Sequence, residues 1–212
     1  MKTKLNNIAF LFGAGISREA GIEGTDEITN NIIEKRKIEK IVKTIHIGLS
    51  KSHKRKINQL HANKEKHITR TRLLKLLAEN EITIMAIYLN KEKVYTKLRD
   101  EKDVLYNYVT NILLDRIYTK RLVPIDRELN LIASRKETNK FLNKNFQDYL
   151  SKQVLKRFDC KLNVTIKTPY EEESLQAVDF ASWAIFRKYE FNDETYYNII
   201  KKRIIEENAL FR

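Results

Sequence analysis

An α/β layer fold is predicted by three features of this sequence. Short apolar runs end in turn signals, longer segments carry apolar residues at helical spacing, and the two kinds alternate along the chain. Ile8–Phe12 is the first apolar run; stopping at Gly13, it reads as a buried strand followed by a tight turn. From Thr25 to about Ile45 the isoleucines 28, 32, 38, 41 and 45 recur at helical spacing in a polar remainder, which predicts a helix. Gly48 to Lys66 is basic and weakly patterned, a loop with some helix. Thr69–Glu79 predicts a helix through Leu73, Leu74, Leu76 and Leu77.

Ile82–Leu89 ("ITIMAIYL") is the clearest strand, β-branched and nearly continuous, as suits a strand covered on both faces. Asp103–Tyr118 follows as a helix with Leu105, Tyr108, Val109, Ile112 and Leu113 on its apolar side. Leu129–Ala133 is a short strand. Ser134 and Glu137 then have capping-box spacing for a helix reaching about Lys156, with Phe141, Leu142, Phe146, Tyr149 and Leu150 turned inward. Leu162–Lys167 alternates as a strand. Thr168, Pro169 and Glu171 supply an N-cap, an N1 proline and an N3 glutamate for a helix running to Glu190. A last helix is expected over about Asp193–Asn208.

At 212 residues, 42% apolar and 33% charged, the chain is long enough for one domain with a real core and too apolar for disorder. The single cysteine, Cys160, excludes an internal disulfide and a multi-cysteine zinc site. No apolar run approaches the roughly 18 residues of a membrane span and no signal-peptide pattern opens the chain, so a cytoplasmic protein without a membrane partner is expected. The net charge of +13 is unevenly placed. Between Lys35 and Lys75 fourteen Lys/Arg meet only two acids, Glu39 and Glu65, so nearly the whole excess lies there, with all four histidines (46, 53, 61 and 67). Such a block favours phosphate-rich partners, DNA or RNA, with Lys54, Arg55, Lys56, Arg70 and Arg72 as candidate contacts. A solvated helical surface is the plainer account of the same charges.

Two motifs carry chemistry. In "GAGISREAGI" a strand runs into Gly-x-Gly, a turn that lets backbone approach a pyrophosphate and aims helix N–H groups at it. The string resembles the start of the sirtuin family's NAD site, which implies that Gly13, Ala14, Gly15, Ser17 and Gly21 line a cofactor. The proline expected after Gly-Ile is Glu23 here, and no His-Gly motif follows. In "LQAVDFASWAIFRKYE", Gln176, Asp179 and Trp183 stand at i, i+3 and i+7, on one face of an otherwise apolar helix. An aspartate so placed needs an arginine, an N–H or a metal. As a metal ligand it would suit the Mg²⁺ or Mn²⁺ chemistry of phosphodiesters, which is built from convergent carboxylates.

From about residue 35 to the C-terminus the chain resembles the uncharacterised family known as domain of unknown function 3800. The resemblance rests on "QLHANK", "LIASRKETNKFL", "LQAVDF" and "RKYEFNDETYY" in that order. It implies a ribonuclease H-like mixed sheet flanked by helices, and a nuclease-like function of the sort found among mobile or defence genes. It also implies catalytic roles for Asp179, Gln176 and His61, with Asp179 as a metal ligand. Asp126, in "VPIDRE", is the only other aspartate close to a predicted strand, and it reads equally as a turn residue. Family members open with a strand ending in Asp-Glu-Ser-Gly; here Phe12, Gly13 and Ala14 stand in place of those acids, and Gln59 replaces the glutamate of a Glu-Leu-His element. The expected organisation is a sirtuin-like strand–turn–helix over 1–34 and a ribonuclease H-like domain over 35–212. Its expected function is nucleic-acid-associated and nuclease-like, impaired in catalysis by the missing acids, with an NAD-binding module or a non-catalytic chimeric remnant as the competing readings.

Overall fold

A computed structural model describes residues 8–14, 28–53, 57–80, 82–89, 101–123, 129–134 and 140–210. The chain is a mixed α/β structure. Its strands are β1 (Ile8–Ala14), β2 (Ile28–Glu34), β3 (Ile84–Leu89), β4 (Leu129–Ser134), β5 (Leu162–Lys167) and β6 (Ile204–Leu210). Its helices are α1 (Lys35–His53), α2 (His67–Glu79), α3 (Lys102–Thr119), α4 (Lys140–Phe158), α5 (Ser174–Phe191) and the short α6 (Tyr197–Ile200), which continues into a 3₁₀ turn, Lys201–Arg203.

The strands pair two by two. β1 and β2 are antiparallel, β3 and β6 parallel, β4 and β5 parallel. Because β2 runs alongside β3 and β1 alongside β4, the pairs follow one another in space as β5, β4, β1, β2, β3, β6. Side-chain alternation along the strands then sorts the core into two layers. Ile84 and Ala86 of β3 and Ile132 of β4 join α1, α2, α5 and α6 on one face. Met85, Ile87 and Leu89 of β3 with Leu129, Leu131 and Ala133 of β4 join α3 and α4 on the other. Burial on both faces is why "ITIMAIYL" reads as an unbroken apolar run. No helix among the described residues is long and apolar enough to cross a membrane.

Three expectations are corrected. The helix expected over Thr25–Ile45 begins only at Lys35; Ile28–Glu34 is a strand, paired residue for residue with β1 from Ile8↔Glu34 to Ala14↔Ile28. Ile28, Thr29, Ile32 and Ile33 are β-branched, a type that favours strands, and a strand tolerates their i, i+4 spacing as well as a helix does. The next described element after the first strand is therefore another strand, where a helix was expected. The helix itself runs on through Gly48 to His53, into the stretch read as loop.

The C-terminal segment is the third correction. Only Tyr197–Ile200 is α-helical, and Ile204–Leu210 is a strand beside β3. Its adjacent glutamates go to opposite faces, as a period of two demands. Glu206 meets Arg116 of α3 and Lys120 just past its end, and Glu207 meets Lys188 of α5 at 2.9 Å and the Tyr197 hydroxyl at 2.7 Å.

The capping signals were partly legible. Thr168 and Glu171 exchange hydrogen bonds as a capping box does, Thr168 N–H to Glu171 at 2.7 Å and Glu171 N–H to the Thr168 hydroxyl at 3.3 Å. They close a turn at Pro169–Glu171, and the helix proper starts at Ser174. The proposed box at Ser134–Glu137 falls largely outside the described residues, and Ser134 itself ends β4.

Candidate functional site

α5 crosses β1 and β2 and packs on α1 and α2. Its small and apolar residues, Ala177, Val178, Phe180, Ala181, Ala184 and Ile185, are all buried, so the helix is covered on more than one side. The polar face of Gln176, Asp179 and Trp183 looks toward the segment 57–66 between α1 and α2, the "QLHANK" stretch. Each of the three side chains grips that segment or the helix that follows it.

Gln176 is fully buried. Its Oε1 accepts the Leu60 N–H at 3.0 Å and faces His46 Nε2 at 2.9 Å, while its Nε2 donates to the Pro169 carbonyl at 2.8 Å. A main-chain donor at one end and a main-chain acceptor at the other fix which way the amide points. His46 Nδ1 in turn faces the Ile57 carbonyl at 2.6 Å. Both ring nitrogens of His46 thus face oxygens, of the Ile57 main chain and of Gln176. The result is a buried polar chain from α1 through Gln176 to the start of α5.

Asp179 is partly buried, and its Oδ2 accepts the Ala62 N–H at 2.8 Å. A main-chain N–H, one of the three partners that the sequence left open, is therefore in place. Burial raises the Asp179 carboxyl above the usual range; the Ala62 N–H and the neighbouring His61 partly offset that rise. The Gln59 amide nitrogen lies 2.9 Å from His61 Nε2.

Trp183 completes the face. The Arg70 guanidinium lies 4.3 Å from its ring centroid, and Tyr196 packs edge-on at 4.7 Å. Arg70 also donates to the carbonyls of Ala62 and Asn63, at 2.5 and 2.8 Å. The turn at 61–64 is therefore held from both sides, by Asp179 on an N–H and by Arg70 on carbonyls.

Asp179 and Gln176 both bind the segment that carries His61, while Arg70, expected as a phosphate contact, holds the same loop and lies over Trp183. Arg72 stays exposed on α2, its guanidinium lying across α1 at Gly48, where an added Cβ would stand 3.2 Å from its Nη1. Gly13 and Ala14 lie in β1, in register with Thr29 and Ile28. Asp126, Gly15, Ser17, Gly21, Lys54, Arg55 and Lys56 lie outside the described residues. His46 was missed by sequence reasoning. The signal was its place one residue after Ile45, at the margin of the inward face of Ile38, Ile41, Val42 and Ile45.

Among the described residues no group of three or more His, Cys, Asp or Glu could hold a metal ion. β1 ("IAFLFGA") and β4 ("LNLIAS") carry no acid at all. No protein-family model matches the chain, and no curated protein matches its sequence significantly.

Proposed function

We propose that this chain is a nucleic-acid-associated domain of nuclease-like, ribonuclease H-like architecture whose catalytic site is impaired. The observation that carries the reading is the direct join between the Leu-Gln-x-x-Asp helix and the Gln-Leu-His loop. Two of the four sequence elements that suggested the family, more than a hundred residues apart in the chain, meet through Leu60–Gln176 and Ala62–Asp179. A mixed strand array with helices on both faces agrees with the expected architecture. The basic block supports a polyanionic partner, since Lys40, Lys43 and Lys51 of α1 and Lys66, Arg72 and Lys75 on or beside α2 are exposed.

Impairment follows from the donor set. Asp179 would be the residual ligand for Mg²⁺ or Mn²⁺, with His61 beside it, but one of its oxygens is already used by Ala62 N–H. Mg²⁺ takes oxygen ligands in near-ideal octahedra, and a two-metal site needs several bridging carboxylates. Among the described residues one aspartate and one imidazole do not fit that requirement, and no hydrolytic step is assigned to them. The NAD reading of Gly13–Ser17 stands as the alternative, supported by the Gly-Ala-Gly-x-Ser string alone. Binding at millimolar NAD in a calorimetric titration would favour it.

The test of the main reading combines binding and cleavage. The protein is expected to bind labelled DNA or RNA strands at low salt and to leave them intact in Mg²⁺ and Mn²⁺. Cleavage that Asp179→Ala abolishes would show an active nuclease, and absence of binding would remove the nucleic-acid reading altogether.

A further inference from the structure

The sequence places a second basic run, Lys201-Lys202-Arg203, far from the Lys35–Lys75 block and inside what reads as a terminal helix. In the fold it is a 3₁₀ turn, anchored alongside α2 at two points. The Tyr196 hydroxyl meets His67 Nδ1 at 2.9 Å at the start of α2, and Arg203 Nε donates to the Ala78 carbonyl at 2.8 Å at its end. The segment 196–203 therefore runs along α2, and the turn lies at that helix's C-terminus. Arg203 is committed to the Ala78 carbonyl. Lys201 and Lys202 are exposed, and neither has an acidic partner among the described residues.

The same holds for Lys51, Lys64, Lys66, Arg72 and Lys75 on α1, α2 and the loop between them. Six cations elsewhere are neutralised: Arg116 and Lys120 on Glu206, Arg157 on Asp115, Lys167 on Glu172, Arg187 on Asp193, and Lys188 on Glu207; Arg121 and, on α4, Lys144, Lys152 and Lys156 are exposed with no ion pair among the described residues. Glu79, next to the Ala78 that holds Arg203, is an exposed acid at the end of α2. An unneutralised surface running from α1 across α2 to the turn has the character of a phosphate-backbone track, which gains from releasing counterions.

We infer that Lys201 and Lys202 belong to the phosphate-contacting surface, extending the basic block past the C-terminus of α2. This rests on the nucleic-acid reading and adds to it the residues that sequence order hides. The plainer account is that the basic turn only complements the negative end of α2. That account predicts an effect on stability and none on binding.

The experiment uses the full chain and compares Lys201→Gln/Lys202→Gln with Lys152→Gln/Lys156→Gln, a charge-matched pair exposed on α4. Affinity for a labelled single-stranded oligonucleotide is measured across a salt series. The expected result is that the first variant binds more weakly, with a salt slope smaller in magnitude by about 1.4, at about 0.7 per lost single-strand phosphate contact. The slope of the second variant is expected to stay within error of the wild type. Equal slopes for wild type and first variant, or equal losses in both variants, would overturn the inference while leaving the nucleic-acid reading in place. Failure of the wild type to bind at low salt would overturn both. The loss should be the same on DNA and RNA strands of one length; a loss confined to one would contradict a contact to phosphate.

Discussion

Asp179 and Gln176 show how a residue chosen for chemistry turns out to hold a loop. Spacing alone put them on one helical face with Trp183, and that part was fully legible. Their partners were not, because main-chain N–H groups of Leu60 and Ala62 have no sequence signature. Removing the amide in Gln176→Leu strands the Leu60 N–H, the Pro169 carbonyl and His46 together. A loss of about 2 to 4 kcal/mol in chemical unfolding is expected, because buried unpaired polar groups cost about 1 to 3 kcal/mol each and here share one network. Asp179 makes a prediction in pH. Its carboxyl is raised by burial, so the folded chain holds that proton more tightly than the unfolded chain. The resulting stability is complete below the ordinary carboxylate range and is lost as pH rises through the raised value. Asp179→Asn keeps an oxygen for the Ala62 N–H and does not titrate. Thermal melts should therefore show the variant gaining on the wild type as pH climbs from the carboxylate range toward neutrality. Parallel profiles would mean that Asp179 titrates normally.

Among the elements, β3, β4, β5, α2, α3 and α5 were legible because each shows a single period unmixed with another. β2 and β6 were not. "ITNNIIE" fits a helix by its Ile28 and Ile32, and only pairing with β1, a contact made across undescribed chain, decides for strand. "IIEENAL" looks like the polar end of a helix until Glu206 and Glu207 are seen to serve opposite faces. Local propensity lost to tertiary pairing in both. The turn at 192–196 was also visible only in part. Asn192, at φ 51°, ends α5, and Asp193 then closes the turn. The Thr195 side chain and the Arg187 guanidinium, with the Thr195 N–H, hold the Asp193 carboxyl down to about 2. Gly48 tests the packing of α1 on α2. It lies in a helix interior, and a methyl there would meet only the flexible end of Arg72. Gly48→Ala should raise stability by up to about 1 kcal/mol, read as a higher denaturant midpoint with unchanged slope. A lower midpoint would show that Arg72 cannot move aside.

Over the whole molecule, composition shows an excess of positive charge and the fold shows where its exposed cations lie. The net charge of +13 and its concentration before residue 76 are in the sequence; the meeting of that block with Lys201 and Lys202 is not. β1 carries no acid, which the sequence shows, and the fold sets it beside β4 in the array. The central claim is that this array carries a nucleic-acid surface around a site that lacks a full set of metal-binding acids. Its most direct test is the affinity of the unmodified protein for a labelled oligonucleotide as salt is raised. If six or more of the exposed cations contact phosphate, log K should fall with log salt at a slope of about −4 or steeper. A slope near zero, or no binding at the lowest salt, would contradict it.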